Sequence, residues 1–322
     1  MKAAVLHDFG EMPRYEDFPD PIPNENDVLI NVKAVALENV DKMIAIGAHF
    51  ASRQFLSTFP AVVGFDGVGT LPDGRLVGFG GMRAPYGAMA EKVAVPKGNT
   101  VPIPEGVNAV TAAAMPGPTL TSLFPLKWGV KLQQGETVLI NGATGVAGKL
   151  AVQVAKHLGA GKIIATGRNE ESIKQIKSYG VDTIINLKQP DECLVEEFRK
   201  EVENGIDIIL DFLWGHVTEL LVHAFVPKEL SFAKRRVRLV QIGEKAGSTI
   251  SLPAEALRTT GLEIYGASVG LTPQTLQEGT TQVWNWIQNG KLHMDIEEVP
   301  LQNIEAAWKR EDFQGKRIVI VI

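Results

Sequence analysis

The spacing of apolar residues changes near residue 110 and divides the chain into two regions. Before that point, short apolar runs alternate with turns rich in Pro and Gly, which predicts strands at residues 3–6, 27–36, 67–71 and 88–95. One helix is predicted from Asn39 to about Ile46, with Asn39 as its N-cap. The first region is therefore expected to consist mainly of β-structure.

After residue 135, apolar runs of strand length alternate with stretches of helical periodicity. Strands are predicted at residues 137–141, 162–166, 183–186, 206–211, 237–243 and 262–266. Helices are predicted at residues 170–179, 191–202 and 275–289, and the chain ends on an apolar strand at 315–322. Strands joined by helical crossovers predict a doubly wound parallel sheet, and the last strand is expected to return to the first region.

The segment from Thr137 to Gly148 reads TVLINGATGVAG, an extended run followed by a glycine-rich turn and an apolar-periodic helix. A glycine motif that follows a strand and opens a helix is typical of dinucleotide-binding sites. One glycine tolerates a positive φ, another lets backbone N–H groups approach a pyrophosphate, and the third packs the helix close to the strand. The segment predicts a dinucleotide site with backbone contacts from Gly142, Ala143, Thr144, Gly145, Val146 and Gly148.

Other interpretations of this glycine motif fit less well. A phosphate-binding P-loop requires glycine at residue 143 and a hydroxyl after Lys149, but the chain has Ala143 and Leu150. Short-chain reductases carry the motif near the chain start, together with a Tyr-x-x-x-Lys pair that is absent here. An empty tight turn remains the alternative to a dinucleotide site.

The choice between NAD and NADP is made at the end of the second strand of such a fold, which here reads IIATGRNEE. Arg168 lies two residues beyond Thr166, and no carboxylate precedes Glu170. A guanidinium can bind a 2′-phosphate through two parallel hydrogen bonds. We therefore predict NADPH, bound with help from Gly167, Arg168 and Asn169; the alternative is an unbound surface arginine.

Composition and charge exclude several classes of function. The 322 residues carry a net charge of −5 with acidic and basic residues interleaved, so a nucleic-acid partner is not expected. No apolar run approaches the ~18 residues of a membrane helix, and the first residues do not resemble a signal peptide. The single cysteine, Cys193, cannot form an internal disulfide or a thiolate zinc cluster. We expect a cytoplasmic protein.

Further segments resemble a known family over nearly the whole chain. They are MKAAVLHDFG at the start, Asn39-Val40-Asp41 with Gly47, Pro60 with Gly64-Phe65-Asp66-Gly67, Gly87-Ala88-Met89-Ala90-Glu91 with Val95-Pro96, AAAMPGPTLTS, GATGVAG, Gly290-Lys291-Leu292 and Gly315-Lys316. Together they resemble the medium-chain dehydrogenase/reductase superfamily, most closely its zinc-independent quinone oxidoreductase branch.

The resemblance implies an α/β fold with two domains. An amino-terminal GroES-like β domain would comprise residues 1–117 and 271–322, and a doubly wound Rossmann domain would comprise residues 118–270. It also implies a homodimer formed by pairing of edge strands. Thr121, Gly243, Ser268 and Val269 are expected along the cofactor crevice.

The resemblance also implies that no metal is bound. Zinc-dependent members use an early cysteine and a Gly-His-Glu segment, whereas this chain has Asn39 and Gly64-Phe65-Asp66 at the corresponding positions. His49 and Asp66 alone do not make the three-ligand set of a catalytic zinc.

Without a Lewis acid, the substrate must accept hydride easily, as a quinone or an α,β-unsaturated carbonyl does. The expected activity is therefore NADPH-dependent reduction of a quinone or enone. Asn39 and Tyr86 are candidate hydrogen-bond donors to the substrate oxygen and Asp41 a candidate orienting residue, although Asn39 as a plain helix cap is the alternative. Phe50 stands where members often have tyrosine, so we expect water to deliver the proton. An enoyl-thioester reductase and a non-catalytic NADPH-binding sensor or structural protein remain alternatives.

Overall fold

The computed structural model describes residues 1–227, 229, 235–310 and 315–322. The described chain divides into two compact units, Met1–Pro116 with Asp295–Ile322 and Gly117–Met294. The fold is mixed α/β, with a parallel sheet in the second unit and separate, mainly antiparallel sheets in the first. The predicted fold class is confirmed.

The first unit is built from short strands and short helices. Its strands before residue 117 are β1 (Lys2–Leu6), β2 (Arg14–Asp17), β3 (Asp27–Ala36), β4 (Ala61–Val62), β5 (Asp66–Thr70), β6 (Leu76–Gly80), β7 (Lys92–Pro96) and β8 (Thr100–Pro102). Its helices there are α1 (Asn39–Ala45), α2 (Ser52–Phe55) and α3 (Ala109–Ala114). β3 is the long central strand, because it pairs with both β5 and β7.

The second unit alternates strands and helices. Its elements are α4 (Pro116–Phe124), β9 (Thr137–Asn141), α5 (Val146–His157), β10 (Lys162–Gly167), α6 (Glu170–Ser178), β11 (Thr183–Asn186), α7 (Asp191–Asn204), β12 (Ile208–Asp211), α8 (Gly215–Phe225), β13 (Val237–Gln241), α9 (Ala254–Thr259), β14 (Leu262–Gly266) and α10 (Pro273–Gln288). In the described part of the chain, the parallel sheet has the order β11-β10-β9-β12-β13-β14. β9 lies at its centre, and Val138, Leu139 and Ile140 are fully buried, as expected where helices cover both faces.

The chain then returns to the first unit through β15 (Ile296–Pro300), α11 (Ile304–Trp308) and β16 (Arg317–Val321). β16 pairs antiparallel with β3, so the predicted closing strand completes the first unit. The compact first unit resumes at Asp295. Before that residue, α10 packs in the second unit, where Gly279 lies against Phe124 of α4 so closely that a Cβ atom would be 2.9 Å from the ring. The domain boundary at residue 271 stays a prediction.

Candidate active site

The glycine loop, residues 142–148, begins directly after β9 and leads into α5. Gly142 has φ +92°, which an L side chain rarely adopts. Its backbone N–H donates to Thr166 Oγ1 at 2.9 Å, and the N–H of Ala143 donates to the Thr166 carbonyl at 2.9 Å. The loop is therefore anchored to the end of the neighbouring strand β10.

Close packing explains two of the glycines near this loop, whereas Gly145 faces open space. A Cβ atom on Gly148 would lie 2.3 Å from the Gly142 carbonyl oxygen, and one on Gly167 would lie 2.2 Å from Thr144 Cγ2. A Cβ atom on Gly145 would meet only the Gly142 oxygen, at 3.7 Å. The loop thus forms a cradle whose open side is at Gly145, where a ligand can reach the backbone.

The amino terminus of α5 supplies the charge that an anionic ligand needs. The first N–H groups of a helix have no partner within the helix, and its dipole places partial positive charge there. The first turn of α5 contains no acidic side chain that would compete for this position. The cradle and the helix end together fit the pyrophosphate of a dinucleotide.

A buried polar network holds the strand ends beneath the glycine loop. Asn141 accepts a hydrogen bond from Thr166 Oγ1 at 2.8 Å and donates to Asp211 Oδ1 at 3.0 Å. Thr218 donates to Asp211 Oδ2 at 2.6 Å. Burial raises the pKa of Asp211, although these hydrogen bonds oppose the shift.

This network ties the ends of β9, β10 and β12 together at the carboxyl edge of the sheet. Sequence reasoning missed the roles of Thr166 and Asp211. The signal was a polar residue near the end of each otherwise apolar strand.

The residues that follow β10 lie beside the glycine loop. Gly167 packs on Thr144, so Arg168, the next residue, emerges next to the loop. Its side chain is exposed and makes no ion pair with the described residues. The Asn169 side chain caps α6 by accepting a hydrogen bond from the Ser172 N–H at 2.8 Å. Arg168 is therefore available to an external anion, whereas Asn169 Oδ1 is engaged in capping.

The other predicted cofactor residues are dispersed in the second unit. Gly243 and the turn with Ser268 and Val269 follow β13 and β14, at the same carboxyl edge as the glycine loop. The Gly243 N–H donates to the Asp211 carbonyl at 3.1 Å, which links it to the strand ends. Thr121 lies in α4, and its hydroxyl donates to the Pro118 carbonyl at 2.8 Å.

In the first unit, the predicted cap of α1 is wrong by one residue. Glu38 is the N-cap, and Asn39 is the first helical residue with an exposed side chain. The reason is a reciprocal contact across the first turn, where the Glu38 N–H donates to Asp41 Oδ2 at 2.8 Å. Asn39 is therefore not needed as a cap.

Asp41 is buried in a cluster of acidic groups. Only 3% of its surface is exposed. Burial, together with the nearby Glu38 and Asp66 carboxylates, raises the pKa of Asp41 well above its usual range, although the Arg317 guanidinium acts in the opposite direction. Arg317 forms its ion pair with Glu38.

Asp66 is the second perturbed carboxyl of this cluster. Desolvation of its carboxyl group and the Glu38 carboxylate raise its pKa to about 7, although the residue as a whole is exposed, which limits the desolvation. Sequence reasoning missed Glu38, Asp66 and Arg317 as neighbours of Asp41. The spacing of Glu38 and Asp41 was a detectable signal, because carboxyl groups three residues apart suit a reciprocal helix cap.

A small cavity lies within the first unit, next to Asp41. Its volume is about 20 Å³, roughly enough for one water molecule. Asp41 and Tyr86 are the lining residues with side-chain oxygens; the other lining side chains are apolar, with Ile44, Phe55, Val63 and Phe65 among them. The Tyr86 hydroxyl donates to the Asp20 carbonyl at 3.3 Å. Asp41 thus contributes a carboxyl group to a mainly apolar cavity.

Among the described residues, no group of three or more His, Cys, Asp and Glu side chains is arranged to hold a metal ion. None of the described helices combines the length and the apolar character needed to cross a bilayer.

Comparisons with known proteins agree with this architecture. A family model described as zinc-binding dehydrogenase matches residues 147–288. A probable NADPH-dependent quinone reductase of Emericella nidulans is 25% identical, with 100% of both chains covered. A trans-enoyl reductase of Aspergillus terreus is 26% identical over 87% of this chain and 81% of its own length.

The crystal structure of the quinone oxidoreductase from Thermus thermophilus superimposes with a TM-score of 0.79 at 27% identity. The match covers 100% of both chains, and that enzyme has also been crystallised as a complex with NADPH. The glycine cradle, the sheet order and these relatives make the chain similar to the medium-chain dehydrogenase/reductase superfamily, in particular to its quinone oxidoreductase-like members.

Proposed function

We propose that this protein is an NADPH-dependent oxidoreductase that reduces a quinone or an α,β-unsaturated carbonyl compound without zinc. The observation that carries the proposal is the open glycine cradle at the amino terminus of α5 with the exposed Arg168 beside it. Relatives named quinone reductases and quinone oxidoreductases support the choice of substrate class.

The proposed roles divide between the two units. Bound NADPH supplies a hydride. The backbone of residues 142–148 holds its pyrophosphate, and Arg168 binds the 2′-phosphate. Gly167, Asn169, Gly243, Ser268, Val269 and Thr121 complete the cofactor contacts. Asn39, Asp41 and Tyr86 are proposed to act on the substrate.

The direct test is oxidation of NADPH in the presence of a panel of quinones, enones and enals. We expect turnover with at least one class, and we expect it to survive exhaustive dialysis against a chelator. Intact NADPH binding without turnover on any acceptor would support a sensor or structural protein instead. Loss of activity that zinc alone restores would contradict a zinc-independent reaction.

Asn39 can be tested separately, because it does not cap α1. We expect Asn39→Ala to lower kcat while leaving the NADPH dissociation constant and the melting temperature nearly unchanged. Since Glu38 provides the cap, loss of turnover in this variant could not be attributed to an uncapped helix. Unchanged kcat would remove Asn39 from the proposed substrate residues.

A trans-enoyl reductase among the relatives favours reduction of an enoyl thioester as a second candidate. Matched substrates that differ only in a thioester or ketone carbonyl distinguish the two. A kcat/KM at least tenfold higher for the thioester would favour the second candidate.

Two further expectations follow from the resemblance. We propose that the protein is a homodimer formed through an edge strand of the parallel sheet, and that it acts in the cytoplasm on a small-molecule substrate.

A further inference from the structure

A buried carboxyl group in the first unit has chemistry that the proposed reaction requires. A substrate that accepts a hydride at its electron-poor carbon gains two electrons, and negative charge develops on its carbonyl oxygen. Completing the reduction requires one proton, and a hydrogen-bond donor near that oxygen stabilises the charge. Among the side chains that line the small cavity, only those of Asp41 and Tyr86 carry an oxygen.

The geometry points to Asp41 as the proton donor of the proposed reduction, acting through one water molecule, because the cavity that it lines has room for about one. This inference rests on the proposed function. In the transfer, the Oδ1–H bond of Asp41 breaks, the water accepts that proton and gives up one of its own, and a new O–H bond forms on the reduced substrate. The resulting Asp41 carboxylate then takes a proton from solvent.

The two oxygens of the Asp41 carboxyl group have different environments. Oδ2 accepts the Glu38 N–H at 2.8 Å, which a carbonyl oxygen does in the neutral acid as well. Oδ1 makes no hydrogen bond to the described residues. The contact at Oδ2 therefore fixes the orientation of the group and leaves Oδ1 to carry the proton.

The surroundings of Asp41 favour the neutral acid. The apolar cavity wall solvates a carboxylate poorly, and the Glu38 and Asp66 carboxylates repel a third negative charge. The Arg317 guanidinium, the cation that acts on Asp41, is paired with Glu38. These surroundings accordingly raise the pKa of Asp41 well above its usual range. A neutral acid held in this way can donate a hydrogen bond to a developing oxyanion.

Tyr86 is less suited to the same task. Its hydroxyl donates to the backbone carbonyl of Asp20, and its ring packs edge-on against Phe18 at 5.7 Å between centroids. Tyr86 is therefore held by neighbours in the first unit, whereas Oδ1 of Asp41 has no partner among the described residues.

The first test detects the proton itself in protein without NADPH. The infrared difference spectrum of wild type minus Asp41→Asn at neutral pH should show the carbonyl stretch of a protonated carboxylic acid, because Asp66 and Asp211, the other carboxyl groups named above with a raised pKa, are present in both proteins. The difference spectrum of wild type minus Glu25→Gln, which changes an exposed carboxyl group, should lack this band. Absence of the band from the Asp41 difference spectrum, or its presence in the Glu25 spectrum, would overturn the proposal.

The second test measures the role of that proton in turnover. Asp41→Asn should lower kcat at least tenfold and abolish the fall of kcat at high pH that loss of the proton causes in the wild type. The NADPH dissociation constant should stay within about twofold. Wild-type kcat in Asp41→Asn would overturn the role of Asp41 and leave the proposed function intact. A wild-type protein that binds NADPH but reduces no acceptor would overturn both.

Discussion

At the scale of single residues, the preference for NADPH depends on Arg168. Its guanidinium is exposed next to Gly167, which packs on the glycine loop. We expect Arg168→Ala to weaken NADPH binding roughly 10- to 100-fold, because a hydrogen bond to a charged group contributes about 1.5–3 kcal/mol. NADH binding should stay nearly constant, since that cofactor has no 2′-phosphate.

The measurement is the pair of dissociation constants for NADPH and NADH, obtained by calorimetry. Lys177→Ala is the matched control, because it removes an exposed cation from the last turn of α6. An unchanged ratio of the two constants in Arg168→Ala would show that another group binds the 2′-phosphate.

Asp41 gives a second residue-scale prediction, on stability. Below about pH 4 both the folded and the unfolded chain hold the Asp41 proton, so its ionisation does not contribute. As pH rises from there to the raised pKa of the folded state, the unfolded chain releases this proton first, and the wild type loses stability. Asp41→Asn should therefore become progressively more stable than the wild type over this interval.

Urea unfolding across this pH range measures the difference directly, with Glu25→Gln as an exposed control. The asparagine oxygen can still accept the Glu38 N–H, so the α1 cap remains. A variant that becomes less stable than the wild type as pH rises would mean that Asp41 is ionised in the folded protein.

At the scale of elements, strands with a regular local pattern were predicted well, whereas features that depend on tertiary contacts were not. The bounds of β9 and β14 match their predicted ranges, because apolar strands bounded by turns are local signals. The cap of α1 was misplaced by one residue although its signal, the reciprocal contact of Glu38 with Asp41, is local. Other features were not predictable because they depend on distant residues: Arg317, which pairs with Glu38, is 279 residues away from it in sequence, and the cavity beside Asp41 is lined by several separate segments.

The glycine loop allows a matched pair of substitutions that separates fold from binding. Gly148→Ala would place a methyl group 2.3 Å from the Gly142 carbonyl oxygen and 2.7 Å from Ala143 Cα. We expect it to destabilise the protein by about 1–3 kcal/mol, as overpacking does. Gly145→Ala meets only one atom, at 3.7 Å, so its free energy of unfolding should change by less than about 0.5 kcal/mol.

NADPH affinity should distinguish the same two variants in another way, because we expect the loss of affinity in the variant that keeps its stability. The methyl group of Gly145→Ala projects into the open side of the cradle, so NADPH affinity should fall while the fold is retained. Urea unfolding and NADPH titration on each variant check both parts. Wild-type NADPH affinity in Gly145→Ala would place the pyrophosphate elsewhere.

At the scale of the whole molecule, the order of the elements was predictable from the sequence. The closing strand was expected to return to the first unit, and β16 does pair with β3. The preceding helix, α10, was assigned to the first domain because of its position in the sequence. The unit to which a helix belongs depends instead on the residues against which it packs. Gly279 allows α10 to approach Phe124 of α4, which keeps this helix in the second unit.

The homodimer that we propose from the resemblance has a candidate surface at one edge of the parallel sheet, as formed by the described residues. β14 ends the order of the parallel sheet, and its Ile264 is 37% exposed. An edge strand with an exposed apolar side chain can pair with a second copy, and a lysine on the edge prevents such pairing. We therefore expect Ile264→Lys to convert a dimer into a folded monomer, measured by sedimentation velocity. Ile22→Lys, at a residue 87% exposed in the first unit, should remain dimeric. A dimer that survives Ile264→Lys would mean that the copies associate through a different surface.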